Sequence, residues 1–309
     1  MTTSGDITYD RTGAQIAEAA ARLIRIIGVD ETLDTTAGGQ EDQALELLNL
    51  MIKTDQSRLG LWRRREAKLF VVPSQASYDL PGANACDISE LAETTLDATE
   101  AASQTVISVT STTGFANSDV IGIILDDDTI HWTTIVSFVT DDTVTITTGI
   151  ASQATSGNKV YVYTTAAPRP LKIKSMRREQ SSQETPMFDL SHDEYFDLPN
   201  KDSDGQSVEF YYDPQRPTGK VYLWPRPSTV ADEINYTYLD GLEVITANTQ
   251  TADYPEEWME YLVYGLAVRL APLYGVAVSQ EVLATYTKAE DALEGNDTES
   301  ATVQFEVAR

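Results

Sequence analysis

The chain has 309 residues, a formal net charge of −26 and a single cysteine, Cys86. A chain of this length has room for two domains, or for one domain with an insertion, and it buries enough surface to fold without a disulfide or a metal. The acidic balance argues against a protein that grips phosphate backbones, because such proteins rely on clustered Lys and Arg.

The N-terminal part predicts two amphipathic helices followed by two strands. The opening MTTSGDITYD has neither the basic nor the apolar region of a signal peptide, and no apolar run reaches the roughly 20 residues of a membrane span. Apolar side chains recur at helical spacing in TGAQIAEAAARLIRIIG and again in QEDQALELLNLMIKTDQSRLG. AKLFVV and ASYDL then predict short strands. We expect a soluble protein that does not contact a membrane.

A β-rich segment follows, from about Gln104 to Thr164. TVISVT, DVIGIIL, TIHWTTIVSF, TVTIT and KVYVYT are β-branched runs separated by Gly, Asn and Asp turns, which predicts a small barrel or sandwich. Lys159 is the only Lys or Arg in residues 86–166, against eleven Asp and Glu. The composition therefore also sets this segment apart as a separate unit.

The rest of the chain mixes strands and helices. LKIKSMRRE predicts a strand, and SHDEYFDL predicts a short helix that a capping box of Ser191 and Glu194 opens. SVEFYYD, KVYLWP and EINYTYL predict three strands, and the segments DYPEEWMEYLVYGLAVRLAPLYG and SQEVLATYTKAEDALEG predict two helices. We therefore expect an α+β fold: a four-helix core with β-hairpins, plus an inserted small all-β (barrel or sandwich) domain. Its predicted parts are an N-terminal helical part (1–85), the inserted β domain (86–166), β-hairpins with C-terminal helices (167–294) and a C-terminal tail (295–309).

The stretch from Tyr211 to Pro227, YYDPQRPTGKVYLWPRP, is the most unusual in the chain. Its prolines flank two strands, and a Thr-Gly pair supplies the turn. The aromatic residues at positions 211, 212, 222 and 224 predict one inward and one outward aromatic side chain in each strand. We expect a rigid hairpin whose outward aromatic side chains, with Arg216 or Arg226, contact a neighbouring chain.

RLGLWRRREAKLF, residues 58–70, is the one basic run, and it places Trp62 beside Arg63, Arg64 and Arg65. On a basic protein this mixture would indicate nucleic-acid binding. Here the neighbouring segments are acidic, and arginine is also enriched at protein interfaces. We expect salt-sensitive contacts with a neighbouring subunit or a partner protein.

The chain shows no catalytic or cofactor motif. His131 and His192 lack the spacing of a metal-binding or catalytic pair, and no recognisable motif surrounds Cys86. Residues 200–205, NKDSDG, match the first positions of an EF-hand loop, but Tyr211 stands where the bidentate glutamate belongs. A two-carboxylate glycosidase needs only two acids, and 48 are present, so their number carries no weight. We expect no enzyme, no metal and no cofactor.

Four local patterns together resemble a known family. They are IAEAAARLIRIIGVDETLDTTAGGQEDQALELLNLMI, GLWRRREAKLFVVPSQASYDLP, RPLKIKSMR followed by DEYFDLPNKDSDGQSVEFYYDPQRPTGKVYLWPRPS, and DYPEEWMEYLVYGLAVRLAPLYG. Their order resembles the tailed-phage head-to-tail adaptor family, also called packaged-DNA stabilisation proteins or tail accessory factors. The resemblance covers residues 12–82 and 168–294, whereas residues 86–166 depart from the shorter members and look like an inserted domain.

The resemblance implies a non-enzymatic structural protein of the virion, made in the host cytoplasm and located in the neck between capsid and tail. Members of this family dock beneath the portal protein as a ring of twelve copies and extend the DNA channel. They also retain packaged DNA and offer a platform to the downstream tail protein, which is a nozzle, tube or fibre. Double-stranded DNA would pass through the lumen without sequence-specific binding, and an acidic lumen would let it slide.

The resemblance also implies a role for the C-terminal segment, which in this family reaches towards the portal. Here Val303, Phe305 and Val307 alternate like a strand that adds to a partner's sheet edge, ahead of Arg309. The basic run would meet a neighbouring subunit or the portal. Two other functions stay open: a virion-associated glycan hydrolase that uses a carboxylate pair, and a tail or baseplate carbohydrate-binding module built around residues 86–166.

Overall fold

Residues 63–240 form one unit, the β unit, and residues 1–62 and 241–309 form the other, the helical unit. The structure is a computed structural model that describes residues 9–56 and 60–296. Because the helical unit is made of both ends of the chain, the β unit is inserted within it in sequence. The two units are described separately below.

The described residues form five α-helices and 17 strands. The helices are α1 (Gly13–Leu23), α2 (Gln40–Asp55), α3 (His192–Phe196), α4 (Met259–Leu273) and α5 (Gln280–Asn296). The strands are β1 (Arg64–Phe70), β2 (Ser77–Leu80), β3 (Ala85–Asp87), β4 (Ala92–Thr95), β5 (Val106–Ser108), β6 (Val120–Ile124), β7 (Ile130–Phe138), β8 (Thr143–Ile146), β9 (Lys159–Tyr163), β10 (Lys172–Gln180), β11 (Gln183–Pro186), β12 (Phe188–Asp189), β13 (Asp204–Gly205), β14 (Glu209–Asp213), β15 (Gly219–Trp224), β16 (Arg226–Pro227) and β17 (Glu233–Leu239).

In the helical unit, α1, α2, α4 and α5 share one hydrophobic core. Met51 of α2 packs closely on Gly265 of α4, where an added β-carbon would lie 2.7 Å from its Cε. Glycine at this position therefore lets the two helices approach each other. The buried carboxylate of Asp55 accepts hydrogen bonds from the phenols of Tyr254 and Tyr261, which satisfies polar groups inside the core.

Two sheets of the β unit share a second core. Sheet A has the strand order β11-β10-β17-β1-β3 and is antiparallel throughout, and sheet B has the order β12-β14-β15-β2. Because successive residues of a strand point to opposite faces, Ile234, Tyr236 and Tyr238 of β17 lie in the core shared with sheet B. Glu233 and Asn235 lie on the other face of sheet A, together with Phe70 and Lys68 of the neighbouring β1.

A third sheet of the β unit, sheet C, has its own core. Its strand order is β4-β9-β6-β7-β8-β5, all antiparallel. The two edge strands meet where Leu96 bridges to Val109, and Asp97 N–H donates to the Ser108 carbonyl at 3.0 Å. Sheet C therefore curls until its edges touch, and its β-branched side chains fill the interior.

The predicted fold class, a four-helix core with β-hairpins and a small all-β insert, is wrong. The described residues form 17 strands in four sheets and only five α-helices, so β-structure is the larger part of the fold. The segments that predicted isolated hairpins belong to sheets A and B, which have a core of their own. Sheet A depends on pairs distant in sequence, such as Arg64 opposite Leu239, and period-two patterns do not reveal which strands pair.

Candidate functional site

The hairpin predicted as an interaction site is formed by β14 and β15, with Tyr211 directly opposite Tyr222. Their rings stack with centroids 5.7 Å apart and an angle of 18° between planes. Phe210, Val221 and Leu223 point the other way into the core of sheets A and B. The prediction of one inward aromatic side chain in each strand is wrong for β15, because residues 222 and 224 are two apart and share the outer face.

Helix α3 covers part of this outer face. Ser191 opens the helix as predicted, since its hydroxyl accepts from the Glu194 N–H and the Glu194 carboxylate accepts from the Ser191 N–H. The capped helix places Tyr195 over the hairpin, with its ring 5.1 Å from Tyr222 and 5.9 Å from Tyr211. Tyr195 is buried as a result.

Several aromatic side chains around Tyr195 stay accessible. Phe196 is 46% exposed, and Phe188 of β12 is 72% exposed. The ring of His192 lies 4.5 Å from Phe196 and 5.7 Å from Tyr211. Phe188 pairs with Glu209, two residues before Tyr211, so it faces the same side of sheet B. We call this surface the aromatic face and define it by the outward side chains of β12, α3 and the hairpin: Phe188, His192, Phe196, Tyr211 and Tyr222.

Arg226, a predicted interface residue, has partners within the β unit. Its guanidinium donates to the Asp202 and Asp204 carboxylates at 3.0 and 2.9 Å. Those acids belong to the loop that resembles an EF-hand, so an arginine neutralises the carboxylates that a cation would need. Within the described residues, no group of three or more His, Cys, Asp and Glu side chains could hold a metal ion.

The other predicted interface residues fall in different places. Arg216 is exposed in the turn between β14 and β15, and Arg65 is exposed on β1. The Arg63 side chain is buried and donates to the Asp240 carbonyl at 3.5 Å, while Arg64 is half-buried. In the helical unit, Trp62 packs its ring against Tyr254 and Trp258. The predicted tail residues lie outside the described residues: Val303, Phe305, Val307 and Arg309.

A buried charged network, which we did not predict, joins sheets A and C. Glu233 of β17 is 3% exposed and accepts hydrogen bonds from Lys159 and Tyr161 of β9, both at 2.6 Å. Lys68 of β1 donates to the same carboxylate and, at 2.8 Å, to Glu93 of β4. Each sheet therefore supplies both acidic and basic members, and we call this contact the junction.

The charges of the junction shift the pKa values of its members. Burial opposes the charged form of Glu233, but hydrogen bonds from Lys159, Lys68 and Tyr161 outweigh it and lower its pKa. Burial likewise opposes the charged ammonium of Lys68, and its bonds to Glu233 and Glu93 reverse that effect and raise its pKa. Both groups are therefore held in their charged forms near neutral pH.

Aromatic side chains seal the junction. Phe70 of β1 lies 4.4 Å from the ring of Tyr161 and 5.4 Å from Trp132, and Trp132 in turn packs 5.8 Å from Tyr163. Cys86 is buried in the same cluster, and burial raises the pKa of its thiol to about 12. A thiol with such a pKa is a packing residue and a poor nucleophile.

The sequence carried one signal for the junction, the isolated Lys159 in an otherwise acidic segment. The histidines gave no such site. His131 of β7 bonds to the Thr148 carbonyl at 3.2 Å in sheet C, whereas His192 lies in the aromatic face. Together with the buried Cys86, these groups occupy three separate places and do not meet.

Comparison with known proteins identifies the family. The model of the SU10 adaptor protein family matches residues 130–306, from the first residue of β7 onwards, which is more than half of the chain. A comparison with curated proteins found no match. Among solved structures, VP17, a capsid protein of bacteriophage P23-77, is 13% identical, with 63% of this chain and 75% of that chain covered. Its TM-score of 0.12 supports no argument about this fold.

No helix in the described part of the chain is long and apolar enough to cross a membrane. The family match also includes residues 130–166, the second half of the segment that departs from the shorter adaptors. The resemblance to phage adaptors is confirmed, and the chain belongs to the SU10 adaptor protein family.

Proposed function

We propose that this phage structural adaptor docks beneath the portal as a ring of twelve copies, extends the DNA channel and receives the downstream tail protein. The observation that carries the proposal is the family match over residues 130–306. A structural adaptor works by binding other proteins, which supports a non-enzymatic role in the neck of the virion. Retention of the packaged DNA is part of the same proposal.

The charge of the chain supports the passage of DNA through such a ring. Each copy carries a net charge of −26, and a ring of copies would surround the DNA with like charge. Phosphate binding needs clustered cations, so an acidic lumen repels the duplex and does not hold it. DNA would therefore slide through the ring without sequence-specific contacts.

Ring contacts are heterologous, so each copy needs two different faces. Exposed Arg65 and Arg216 suit such contacts, because arginine forms bidentate pairs with the carboxylates that an acidic neighbour offers. The buried Arg63 and the paired Arg226 would act by holding their own loops. Val303, Phe305, Val307 and Arg309 of the C-terminal segment would engage the portal.

The test mixes the full chain with purified portal rings and measures the mass of the complex by native mass spectrometry. We expect portal rings with twelve added copies. Arg65→Glu should weaken assembly about tenfold, because a cation in a salt-sensitive contact is reversed. Phe305→Ala should weaken portal binding if the tail adds to the portal.

Lys288→Glu is the matched control, because Lys288 of α5 is exposed and the charge change is the same. It should assemble like the unmodified chain. Failure to bind portal rings at every salt concentration between about 0.05 and 0.5 M would overturn the proposal, since this range spans strong and weak screening.

A further inference from the structure

The aromatic face leaves large apolar side chains, Phe188 and Phe196, exposed to solvent. Tyr9, Phe188 and Phe196 are the exposed aromatic side chains among the described residues, and two of the three lie on this face. Contiguous apolar patches on a protein surface mark interaction sites more often than single exposed side chains do.

Acidic side chains surround these rings. Asp193 lies beside the ring of His192, with a carboxylate oxygen 3.1 Å from Nδ1. Asp213 is the last residue of β14, and because it follows Tyr211 by two positions it faces the same side of the hairpin. Asp197, which directly follows α3, is exposed as well. The rim of the aromatic face therefore carries an excess of negative charge.

The face already binds one cation of its own chain. The ammonium of Lys201 lies 5.7 Å from the ring centroid of Phe196 and 6.0 Å from that of Tyr195. It also donates to the carbonyls of Phe196 and Leu198, at 2.7 and 3.2 Å. Aromatic rings attract cations through their negative faces, and this contact shows that the geometry suits a basic side chain.

We propose that the aromatic face binds an extended segment of another protein in which arginine or lysine alternates with apolar residues. Its apolar side chains would cover Phe188 and Phe196, and its cations would lie over the rings and against the rim carboxylates. Aromatic anchors supply most of the energy of such contacts, while rim charges supply specificity. The inference rests on the proposed adaptor function, because the bound segment would belong to one of the adaptor's partner proteins. It adds the chemistry of one contact to that function.

The acidic rim argues against two other molecules that could bind this face, a nucleic acid and a second copy of this chain. A nucleic acid would place its phosphates against Asp193, Asp197 and Asp213, and like charges repel. A second copy carries the same charge of −26, and its exposed Arg65 and Arg216 serve the ring contacts proposed above. Its Lys172 already lies near Asp189 of its own chain, where burial outweighs the ammonium and raises the pKa of the carboxyl. A basic segment of a different protein is the partner whose charge complements the rim.

The probe is a fluorescein-labelled peptide of alternating arginine and leucine, measured by fluorescence anisotropy with the full chain at about 0.15 M salt. A peptide with glutamate in place of arginine is the first control. The double variant Phe188→Ala, Phe196→Ala keeps every charge, so it separates binding at this face from binding to the net charge. We expect this double variant to lower the affinity for the arginine peptide about tenfold.

Val136→Ala combined with Leu283→Ala is the matched control, because both side chains are exposed and apolar but lie elsewhere, on β7 and α5. It should leave the affinity unchanged. Asp193→Lys should also lower the affinity for the arginine peptide, as the aromatic double variant does.

Three outcomes would overturn the inference. They are no binding of the arginine peptide, equal binding of the glutamate peptide, and equal affinity for the aromatic double variant and the unmodified chain. Sedimentation velocity of the chain alone adds a fourth: if the double variant abolishes self-association, the occupant is a second copy. Portal-ring assembly is measured in parallel, so failure here with assembly intact leaves the proposed function standing.

Discussion

The β unit contains two aromatic clusters built from similar side chains in opposite environments. At the junction, Phe70 and Tyr161 are buried beside the ion pairs of Glu233, and the partly buried Trp132 packs on Phe70. On the aromatic face, comparable rings are stacked on the hairpin but stay open on one side. The role of an aromatic cluster therefore follows from its burial and not from which residues it contains.

The difference lies in where the charges are placed. A buried carboxylate is stable only when it is fully paired, and Glu233 accepts from Lys68, Lys159 and Tyr161. The acids around the aromatic face stand at its rim, where water solvates them. A completed network holds two sheets together, while an open apolar surface with a charged rim is free to meet a partner.

The largest effect is expected from Phe70→Ala. Phe70 is 1% exposed and contacts the rings of Tyr161 and Trp132 across the junction. Removal of the ring leaves a cavity, which we expect to lower the free energy of unfolding by about 4 kcal/mol. Urea unfolding followed by circular dichroism measures the change.

Phe70→Leu is the control for this variant, because it keeps most of the apolar volume and should cost only about 1 kcal/mol. Equal and small costs for both substitutions would show that the junction is loosely packed. In that case the contrast between the closed and the open cluster would not hold.

A somewhat smaller loss is expected from Glu233→Gln. This change leaves the buried ammonium of Lys68 without its main partner, and breaking a buried ion pair costs about 3 kcal/mol. Glu281→Gln of α5, an exposed carboxylate, is the matched control and should stay within about 0.5 kcal/mol. Adding Lys68→Met to Glu233→Gln should recover part of the loss, since it removes an ammonium whose remaining partners, Glu93 and Glu179, are more exposed than Glu233. Additive losses would contradict a direct pairing.

The junction also predicts how stability depends on pH. The folded-state pKa of Glu233 is lowered, so its contribution is complete above the ordinary glutamate pKa of about 4.3 and is lost as pH falls below it. The pKa of Lys68 is raised, so its contribution survives until pH rises well above 10. The difference in unfolding free energy between the unmodified chain and Glu233→Gln should therefore shrink between about pH 5 and pH 3. A difference that stays constant over this range would contradict the charged state of Glu233.

Local patterns predicted the pieces of the fold that depend on near neighbours. The capping box of Ser191 and Glu194 and the β14–β15 hairpin were visible because their partners lie within a few residues or across one turn. The pairing of β1 with β17 was not, because it joins the two ends of the β unit. Without that pairing, the strands of sheet A read as attachments to a helical core.

The same limit applies to the sites. The aromatic side chains of the hairpin could be singled out from their spacing, but their exposure depends on how much α3 covers. Glu233 had no distinguishing pattern, since it is one of 48 acids, and only the isolated Lys159 hinted at a partner. Arg226 stays a predicted interface residue, but the sequence did not reveal its partners Asp202 and Asp204, which come close to it at the short β13–β16 pair.

The smallest effect on stability is expected on the aromatic face, from Phe196→Ala. Its ring touches those of His192 and Tyr195 but stays 46% exposed, so we expect a loss below about 1 kcal/mol. Tyr195→Ala, on the buried side chain beneath it, should cost about 3 kcal/mol in the same urea assay. If Phe196→Ala costs as much as Phe70→Ala, the face belongs to the core, and its aromatic side chains are explained by folding alone. A small cost with weakened peptide binding leaves partner recognition as the reason why these rings face solvent.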